Sequence, residues 1–217
     1  MNKRGRFIVI EGVDGSGKET QSKLLVKHLE KIGERVLYVD FPQYEGFFGK
    51  LVANYLRGDY GPISQTSPFL ISIIYALDRS TIREKIQSFL DDGGFVVANR
   101  YVPSNIAHQA ANINDLTKQK EFIDWIAQLE YVVLKLPKED TVIYLDLPWE
   151  LGMLNSNKAG KSDIHEASSE HLQKTAEIYR QLQGLLEHWS VIKCTDAAGE
   201  QRPPEQIHVD ILAALKL

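Results

Sequence analysis

Five short apolar runs alternate with longer segments of helical spacing along the chain. The runs are rich in β-branched and aromatic residues and comprise Phe7–Glu11, Val36–Asp40, Phe95–Ala98, Val142–Asp146 and Val191–Cys194. Nearly continuous apolar strands are typical of a parallel sheet covered on both faces. Because parallel neighbours need long crossover connections, the pattern predicts a three-layer α/β/α fold with a five-stranded parallel sheet.

The segments between the runs predict helices and two loops. Apolar residues three and four apart predict one buried stripe over Phe122, Trp125, Ile126, Leu129, Val133 and Leu136, and a second over Leu172, Ala176, Tyr179, Leu182 and Leu186. Residues 64–90 read as one long helical stretch, with Pro68 in the first turn, where no amide donor is required. The polar segments 155–169 and 197–204 predict loops. No Pro/Gly/Ser-rich linker divides the chain, so residues 1–217 are expected to form a single domain.

Composition and charge exclude several broad classes. The 217 residues include 25 Lys and Arg against 29 Asp and Glu, a net charge of -4, which gives no basic face for nucleic acid. The longest apolar run, 69–77, is far shorter than the ~20 residues that cross a bilayer. Cys194 is the one cysteine and cannot form an internal disulfide, and no Cys/His cluster has metal-site spacing. We expect a cytoplasmic protein without a nucleic-acid or membrane partner.

A glycine-rich segment lies between the first predicted strand and a helical pattern: Gly12-Val13-Asp14-Gly15-Ser16-Gly17-Lys18-Glu19-Thr20. Glycines let successive backbone amides turn inward around an anion, the helix N-terminus adds partial positive charge, and the lysine reaches the terminal phosphates. The segment predicts a cradle for a nucleoside triphosphate. Glu19 departs from the usual pattern, because Ser or Thr ordinarily follows the lysine to hold Mg²⁺; here Thr20 comes one residue later.

Five motifs in chain order resemble those of the thymidylate kinases, a family of P-loop nucleoside monophosphate kinases. They are Glu11-Gly12-x-Asp14-Gly15-x-Gly17-Lys18-x-Thr20-Gln21, Phe41-Pro42, Tyr75-x-x-x-Arg79, Asn99-Arg100-Tyr101-x-x-Ser104-x-x-x-x-Gln109 and Leu145-Asp146-x-Pro148. Each is short, but each follows the expected strand or lies in the expected helix. The resemblance implies transfer of the ATP γ-phosphoryl group to dTMP with Mg²⁺, giving ADP and dTDP, by a homodimer.

The resemblance also implies residue roles. Lys18, Arg100 and the lid lysines Lys158 and Lys161, within the 155–169 loop, would neutralise charge during transfer. ATP would bind the glycine-rich segment, and Mg²⁺, held mainly by the ATP phosphates, would meet Glu19 and Thr20. The residues expected to contact dTMP are Asp14, Phe41, Tyr75, Arg79, Arg100, Ser104 and Gln109. Among them, Tyr75 would stack on thymine, Arg79 would bond its carbonyl edge and Asp14 would bind the 3′-hydroxyl.

Taken without the resemblance, these residues have plainer interpretations. Arg100 could pair with a surface carboxylate, Asp14 could stabilise an Asx turn, and Tyr75 could be a core aromatic. Ser104 and Gln109 could lie on a helix surface. Within the lid, Asp163-x-x-Glu166 matches both a family motif and a capping box.

Several positions depart from the family and keep other functions open. Asn99 stands where aspartate is usual, Tyr44 and the pair Leu154–Asn155 stand where arginines are expected, and the lid has lysines only. A deoxynucleoside kinase would need a carboxylate base for its hydroxyl acceptor, and Asn99 cannot serve as one. A catalytically decayed nucleotide-binding protein remains an alternative. A regulatory GTPase is disfavoured because 157–160 lacks the aspartate of a guanine-reading motif.

Overall fold

The parallel sheet organises the molecule and confirms the predicted fold class. In the computed structural model, which describes residues 4–158, 169–185 and 188–217, the sheet has the order β2-β3-β1-β4-β5, with every pairing parallel. The strands are β1 Arg6–Gly12, β2 Val36–Asp40, β3 Phe95–Asn99, β4 Thr141–Asp146 and β5 Trp189–Lys193. In register, Ile10 lies beside Asn99, which lies beside Asp40. The carboxyl ends of β1, β2 and β3 therefore share one edge.

Helices cover both faces of the sheet. Within the described residues they are α1 Lys18–Lys31, α2 Phe47–Leu56, α3 Pro68–Ser80, α4 Arg83–Asp91, α5 Val102–Ala110, α6 Leu116–Ala127, α7 Trp149–Lys158, α8 Ser169–Leu185 and α9 Pro204–Leu215. Successive β1 residues face opposite layers, with Phe7 and Val9 in the core under α4 to α6 and α8, and Ile8 and Ile10 in the core under α1 and α9. The three-layer prediction is confirmed. No helix of the described residues has both the length and the apolarity to span a membrane.

The stretch predicted as one helix over 64–90 is divided, and this prediction is wrong in its continuity. A short 3₁₀ turn, Ile63–Gln65, precedes α3, and α3 ends at Ser80 before α4 begins at Arg83. The Asp78 carbonyl accepts bonds from the Thr81 hydroxyl (2.7 Å) and from Gln43 Nε2 (2.9 Å). The backbone amides of Thr81 and Ile82 bond the carbonyls three residues earlier, so these side-chain bonds accompany the end of the α-helical ladder. Pro68 does begin α3, as predicted.

Two further boundaries differ from the sequence prediction. After α6, residues Gln128–Val133 form a π-helical turn, with the Leu134 amide bonded to the Leu129 carbonyl at 2.9 Å. The wider turn changes the helix phase, so Val133 is exposed, whereas Glu130 is fully buried. The two ends of the predicted 155–169 loop are helical, because α7 extends to Lys158 and α8 begins at Ser169. Lid residues 159–168, including Lys161 and the Asp163-x-x-Glu166 motif, lie outside the described residues.

Candidate active site

A cavity of about 770 Å³ opens at the carboxyl edge of the sheet, where open α/β folds bind ligands. Most residues predicted to bind nucleotide line it: Asp14, Gly15, Gly17, Lys18, Glu19, Thr20, Phe41, Tyr75, Arg79, Arg100, Ser104 and Gln109. Gly12, Val13 and Ser16 are buried and do not line it. Lys158 is exposed at the end of α7 and likewise lies outside the cavity lining.

The glycine-rich loop connects β1 to α1. Lys18 is the first residue of α1, and its ammonium donates to the carbonyls of Gly12 (3.0 Å) and Val13 (2.8 Å). Gly15 and Gly17 have φ values of 72° and 90°, in the left-handed region that favours glycine. The loop thus curls around a buried lysine at a helix N-terminus, an arrangement suited to phosphate groups.

Asp14 lies between two cations. Its carboxylate forms an ion pair with Arg100 and lies 3.8 Å from Lys18 Nζ. Burial favours the protonated acid, but Arg100 and Lys18 outweigh it and hold the pKa of Asp14 well below its ordinary value. With one anion and two cations, this cluster leaves an excess positive charge for a phosphate.

His108 lies beside this cluster. Burial is the main cause that lowers its pKa to about 3; Asp14 opposes the change and Arg100 adds to it. The imidazole is therefore neutral at pH 7, and its Nε2, 3.3 Å from Arg100 Nη1, acts as an acceptor. His108 helps to orient the guanidinium without adding charge.

Glu11 fixes the backbone that carries Arg100. Arg100 has a φ of 64°, a left-handed conformation that costs a bulky residue about 1–3 kcal/mol. The buried Glu11 carboxylate accepts bonds from the Tyr101 amide (2.8 Å), the Ser104 amide (3.2 Å) and the Ser104 hydroxyl (2.6 Å). These bonds satisfy amides at the start of α5 and hold Arg100 at the cavity.

The inner wall of the cavity is made by α3 and α5. Arg79 is buried, and its Nε and Nη2 each donate to the Glu130 carboxylate at 2.6 Å. Gln109 is also buried, and neither of its amide atoms has a hydrogen-bond partner among the described residues. An unpaired buried amide is costly unless a ligand completes its bonds. Tyr75, half-buried on α3, lines the same cavity.

The opposite wall is made by α7, which packs closely on the glycine-rich loop. A Cβ on Gly15 would lie 2.1 Å from the Gly152 carbonyl oxygen, and a Cβ on Gly152 would lie 2.3 Å from the Asp14 carbonyl oxygen. Neither position has room for a side chain without backbone movement. Asn155 Nδ2 donates to the Gly15 carbonyl (2.9 Å) and to Gln201 Oε1 (2.8 Å), which ties the loop to α7.

Oxygen-bearing side chains lie at the β2 end of the cavity, although in the described part of the chain no cluster of three or more His, Cys, Asp or Glu residues could hold a metal ion. Glu19, Asp40 and Asn99 all line the cavity. Burial, assisted by the Glu19 charge, raises the pKa of Asp40, although the 2.8 Å bond from Asn99 Nδ2 opposes this change. Asn99 Oδ1 is buried without a partner in the described part of the chain. The negative charges of Glu19 and Asp40 oppose each other, and a hard divalent cation held mainly by phosphate groups would relieve that repulsion.

Sequence reasoning missed four residues at or behind the cavity: Asp40, Asn105, His108 and Glu130. Asn105 and His108 could have been found, because they adjoin Ser104 and follow it by one helical turn. The sequence signal for Glu130 was weaker. It is an acidic residue four positions after the buried Ile126, and therefore on the same face of a regular helix. Asp40 is the last residue of a strand that was predicted correctly. Because ligands bind at the carboxyl ends of parallel strands, this position could have indicated that Asp40 lines the cavity.

Comparisons with known proteins agree with this geometry. A family model described as thymidylate kinase matches residues 10–207. The chain belongs to the thymidylate kinase family. A thymidylate kinase of Mycobacterium tuberculosis is 30% identical over 195 residues, covering 86% of this chain and 90% of the relative. A thymidylate kinase of Plasmodium falciparum is 30% identical over 212 residues, covering 97% of this chain and 89% of the relative.

A solved structure supports the fold independently. The thymidylate kinase of Candida albicans superposes with a TM-score of 0.78 at 22% identity, and the match covers 98% of this chain and 92% of that one. Membership of the thymidylate kinase family makes this chain an enzyme of the nucleoside monophosphate kinase class. The resemblance noted in the sequence motifs is therefore confirmed.

Proposed function

We propose that this thymidylate kinase family member transfers the γ-phosphoryl group of ATP to dTMP, and that its 217 residues act as one catalytic domain. The observation that supports this proposal most strongly is the joint position of Lys18 and Arg100 at one cavity, with Asp14 between them. Lys18 would bind the donor phosphates and Arg100 the acceptor phosphate. Drawing two anions together in this way is the main requirement of phosphoryl transfer.

A phosphate acceptor agrees with the charges at the cavity better than a hydroxyl acceptor does. A phosphate monoester with a second pKa near 6 is largely dianionic at neutral pH, so it needs cations and no base. Asp14 is engaged by Arg100 and Lys18, Asp40 accepts a bond from Asn99, and Asn99 itself cannot accept a proton as a general base. These features favour a nucleotide monophosphate over a nucleoside.

We propose that Mg²⁺, held mainly by the ATP phosphates, contacts Glu19, Thr20 and Asp40 directly or through its water shell. Bound with ATP, the ion supplies charge neutralisation at the transferring phosphoryl group. Lys158 and Lys161 of the predicted lid would supply further positive charge to the phosphate groups. The proposed acceptor-site residues are Asp14, Phe41, Tyr75, Arg79, Arg100, Ser104 and Gln109.

We also propose a homodimer that works in the cytoplasm. Phe69 lies edge-on against Trp125 with ring centroids 4.8 Å apart, and Leu70 beside it is 64% exposed, so α3 and α6 present apolar surface. A buried lone cysteine agrees with a reducing compartment. Sedimentation equilibrium tests the assembly, and a monomer at micromolar concentration would refute it.

A coupled assay of ADP release tests the activity. We expect turnover with dTMP, much weaker turnover with dCMP, and none above background with thymidine. Faster turnover with thymidine than with dTMP would favour a deoxynucleoside kinase. Tight ATP binding without turnover on any of the three would favour a decayed nucleotide-binding protein.

A further inference from the structure

Glu130 is a buried carboxylate that contacts two cavity-lining residues at once. It lies in the π-helical turn after α6 and is fully inaccessible to solvent. Its Oε2 accepts from Arg79 Nε, and its Oε1 accepts from both Arg79 Nη2 and Asn105 Nδ2, at 2.6, 2.6 and 2.8 Å. Glu130 does not itself line the cavity, whereas Arg79 and Asn105 do. It therefore stands behind the wall that a ligand would touch.

The surroundings of Asn105 permit one orientation of its amide. Nδ2 donates to Glu130 Oε1 and to the Ser72 carbonyl at 3.1 Å, and both of these groups can only accept. Turning the amide over would place its oxygen against two acceptors and would leave them unpaired in a buried site. Oδ1 is buried and has no partner among the described residues, so it is the polar atom of Asn105 that a ligand packed against this wall would have to satisfy. Asn105 offers the ligand an acceptor.

Arg79 offers donors from the same wall. The carboxylate of Glu130 engages Nε and Nη2 in a two-pronged pair that fixes the plane of the guanidinium. Burial by itself would lower the pKa of Arg79, but the charge of Glu130 outweighs that effect and raises it. The N–H groups not used by Glu130 remain for a ligand. One carboxylate thereby fixes both a donor and an acceptor at the cavity.

We propose that Glu130 is a positioning residue that makes the acceptor site select 2,4-dioxopyrimidines over 4-aminopyrimidines. A dioxopyrimidine presents an N–H donor flanked by carbonyl acceptors, which matches a wall with one fixed acceptor and fixed donors. A 4-aminopyrimidine presents an unprotonated ring nitrogen, which is an acceptor, and an amino group, which is a donor. It would therefore place an acceptor against the Asn105 acceptor and a donor against the Arg79 donors. The inference rests on the proposed function, because it takes this wall to face the acceptor base.

Substitution Glu130→Gln tests the proposal with little change in shape. The new amide would put a donor in place of one carboxylate oxygen, and in either position this donor would meet an N–H group of Arg79, so the two-pronged pair that fixes the guanidinium would be lost. We expect the ratio of kcat/KM for dTMP to kcat/KM for dCMP to fall at least tenfold, mainly through a higher KM for dTMP. The KM for ATP should stay within about twofold of the wild-type value.

Glu139→Gln is the matched control, because it removes another buried carboxylate close by in the chain. Glu139 is 6% exposed, accepts from the Tyr131 hydroxyl and does not line the cavity. In the Glu139→Gln variant, the ratio of kcat/KM for dTMP to kcat/KM for dCMP should equal that of the wild type. If Glu130→Gln lowered kcat/KM for both nucleotides equally, or changed the KM for ATP as much as that for dTMP, the proposal would be overturned.

Two additions keep the result decisive. Should Glu130→Gln not fold, as judged by circular dichroism, Glu130→Asp serves instead, since a carboxylate one methylene shorter cannot reach both partners; an unchanged ratio in that variant would refute the role. Calorimetric binding of dTMP and dCMP to the wild type and the variant gives a readout independent of turnover. Absent turnover on dTMP in the wild type would count against the proposed function, while the binding ratio would still decide the role of Glu130.

Discussion

The two halves of the cavity differ in how deeply their carboxylates are buried. On the acceptor side, Glu11, Arg79 and Glu130 are buried in networks of bonds of 2.6–3.2 Å. On the donor side, Glu19 is half exposed and pairs at 2.5 Å with Lys23, which is still more exposed. Buried networks fix geometry, whereas exposed pairs contribute little and rearrange easily. We infer that base selectivity resides in the acceptor half, which we call the rigid half, and that the donor half combines the buried Lys18 with backbone amides and exposed charges such as Glu19.

Removing Arg100 should cause the largest loss of activity among the substitutions in the rigid half. Arg100→Ala deletes the proposed acceptor-phosphate ligand and leaves Asp14 with Lys18 alone. Charge-assisted bonds contribute roughly 1.5–3 kcal/mol each, so losing two should lower kcat/KM for dTMP by about 100-fold or more. Steady-state kinetics measure this loss. Arg35→Ala, at an exposed site outside the cavity, is the control, and a comparable loss there would contradict the assignment.

Arg79→Ala, also in the acceptor half of the cavity, should lower both the free energy of unfolding and the affinity for dTMP, and the two effects can be measured separately. Glu130 would keep only the bond from Asn105, and an uncompensated buried charge costs about 3–5 kcal/mol of unfolding free energy. We also expect the KM for dTMP to rise well over fivefold, with the KM for ATP nearly unchanged. Urea denaturation and kinetics measure the two effects. A double variant, Arg79→Met with Glu130→Leu, should regain stability without regaining dTMP affinity; equal effects on both substrates would remove Arg79 from the acceptor site.

The contrast between the two halves also explains what the sequence could predict. Strands and the glycine-rich loop follow from local patterns, such as the apolar run of β1 and the glycines before Lys18, and they agree with the structure. The role of Glu130 depends on a contact with Arg79, 51 residues away, and on a π-helical turn that no spacing rule predicts. The break between α3 and α4 is likewise accompanied by a side-chain bond from Gln43. Long-range polar contacts are invisible to periodicity, although they determine which side chains face the cavity.

Gly152→Ala should perturb the donor half selectively. Alanine normally favours a helix over glycine by about 0.5–1 kcal/mol, but here its Cβ would lie 2.3 Å from the Asp14 carbonyl oxygen. Helix α7 must therefore move away from the loop. An overpacking cost of about 1 kcal/mol corresponds to an approximately fivefold higher KM for ATP, with the KM for dTMP within twofold. Glu150→Ala, exposed on the same helix, is the control; unchanged ATP binding in Gly152→Ala would show that α7 does not support the loop.

The smallest effect is expected at the proposed metal contact, where Glu19 has two competing partners. Its ion pair with Lys23 lies in solvent, so the carboxylate can exchange that partner for Mg²⁺ or its waters at little cost. Glu19→Ala should raise the half-saturating Mg²⁺ concentration by about two- to fivefold, because the ion keeps its phosphate ligands. Lys23→Ala removes this ion pair and should lower the half-saturating Mg²⁺ concentration.

Adding Asn99→Asp to Glu19→Ala should recover part of the loss, because it restores a negative charge beside Asp40. Magnesium titrations of turnover, together with calorimetry of Mg²⁺ binding in the presence of ADP, measure the three variants. Opposite shifts for Glu19→Ala and Lys23→Ala are the signature of direct competition for the carboxylate. If half-saturation were the same in wild type, Glu19→Ala and Lys23→Ala, Glu19 would be a first-turn residue that stabilises the helix N-terminus and takes no part in metal binding, and the ion would depend on Asp40 and the phosphates.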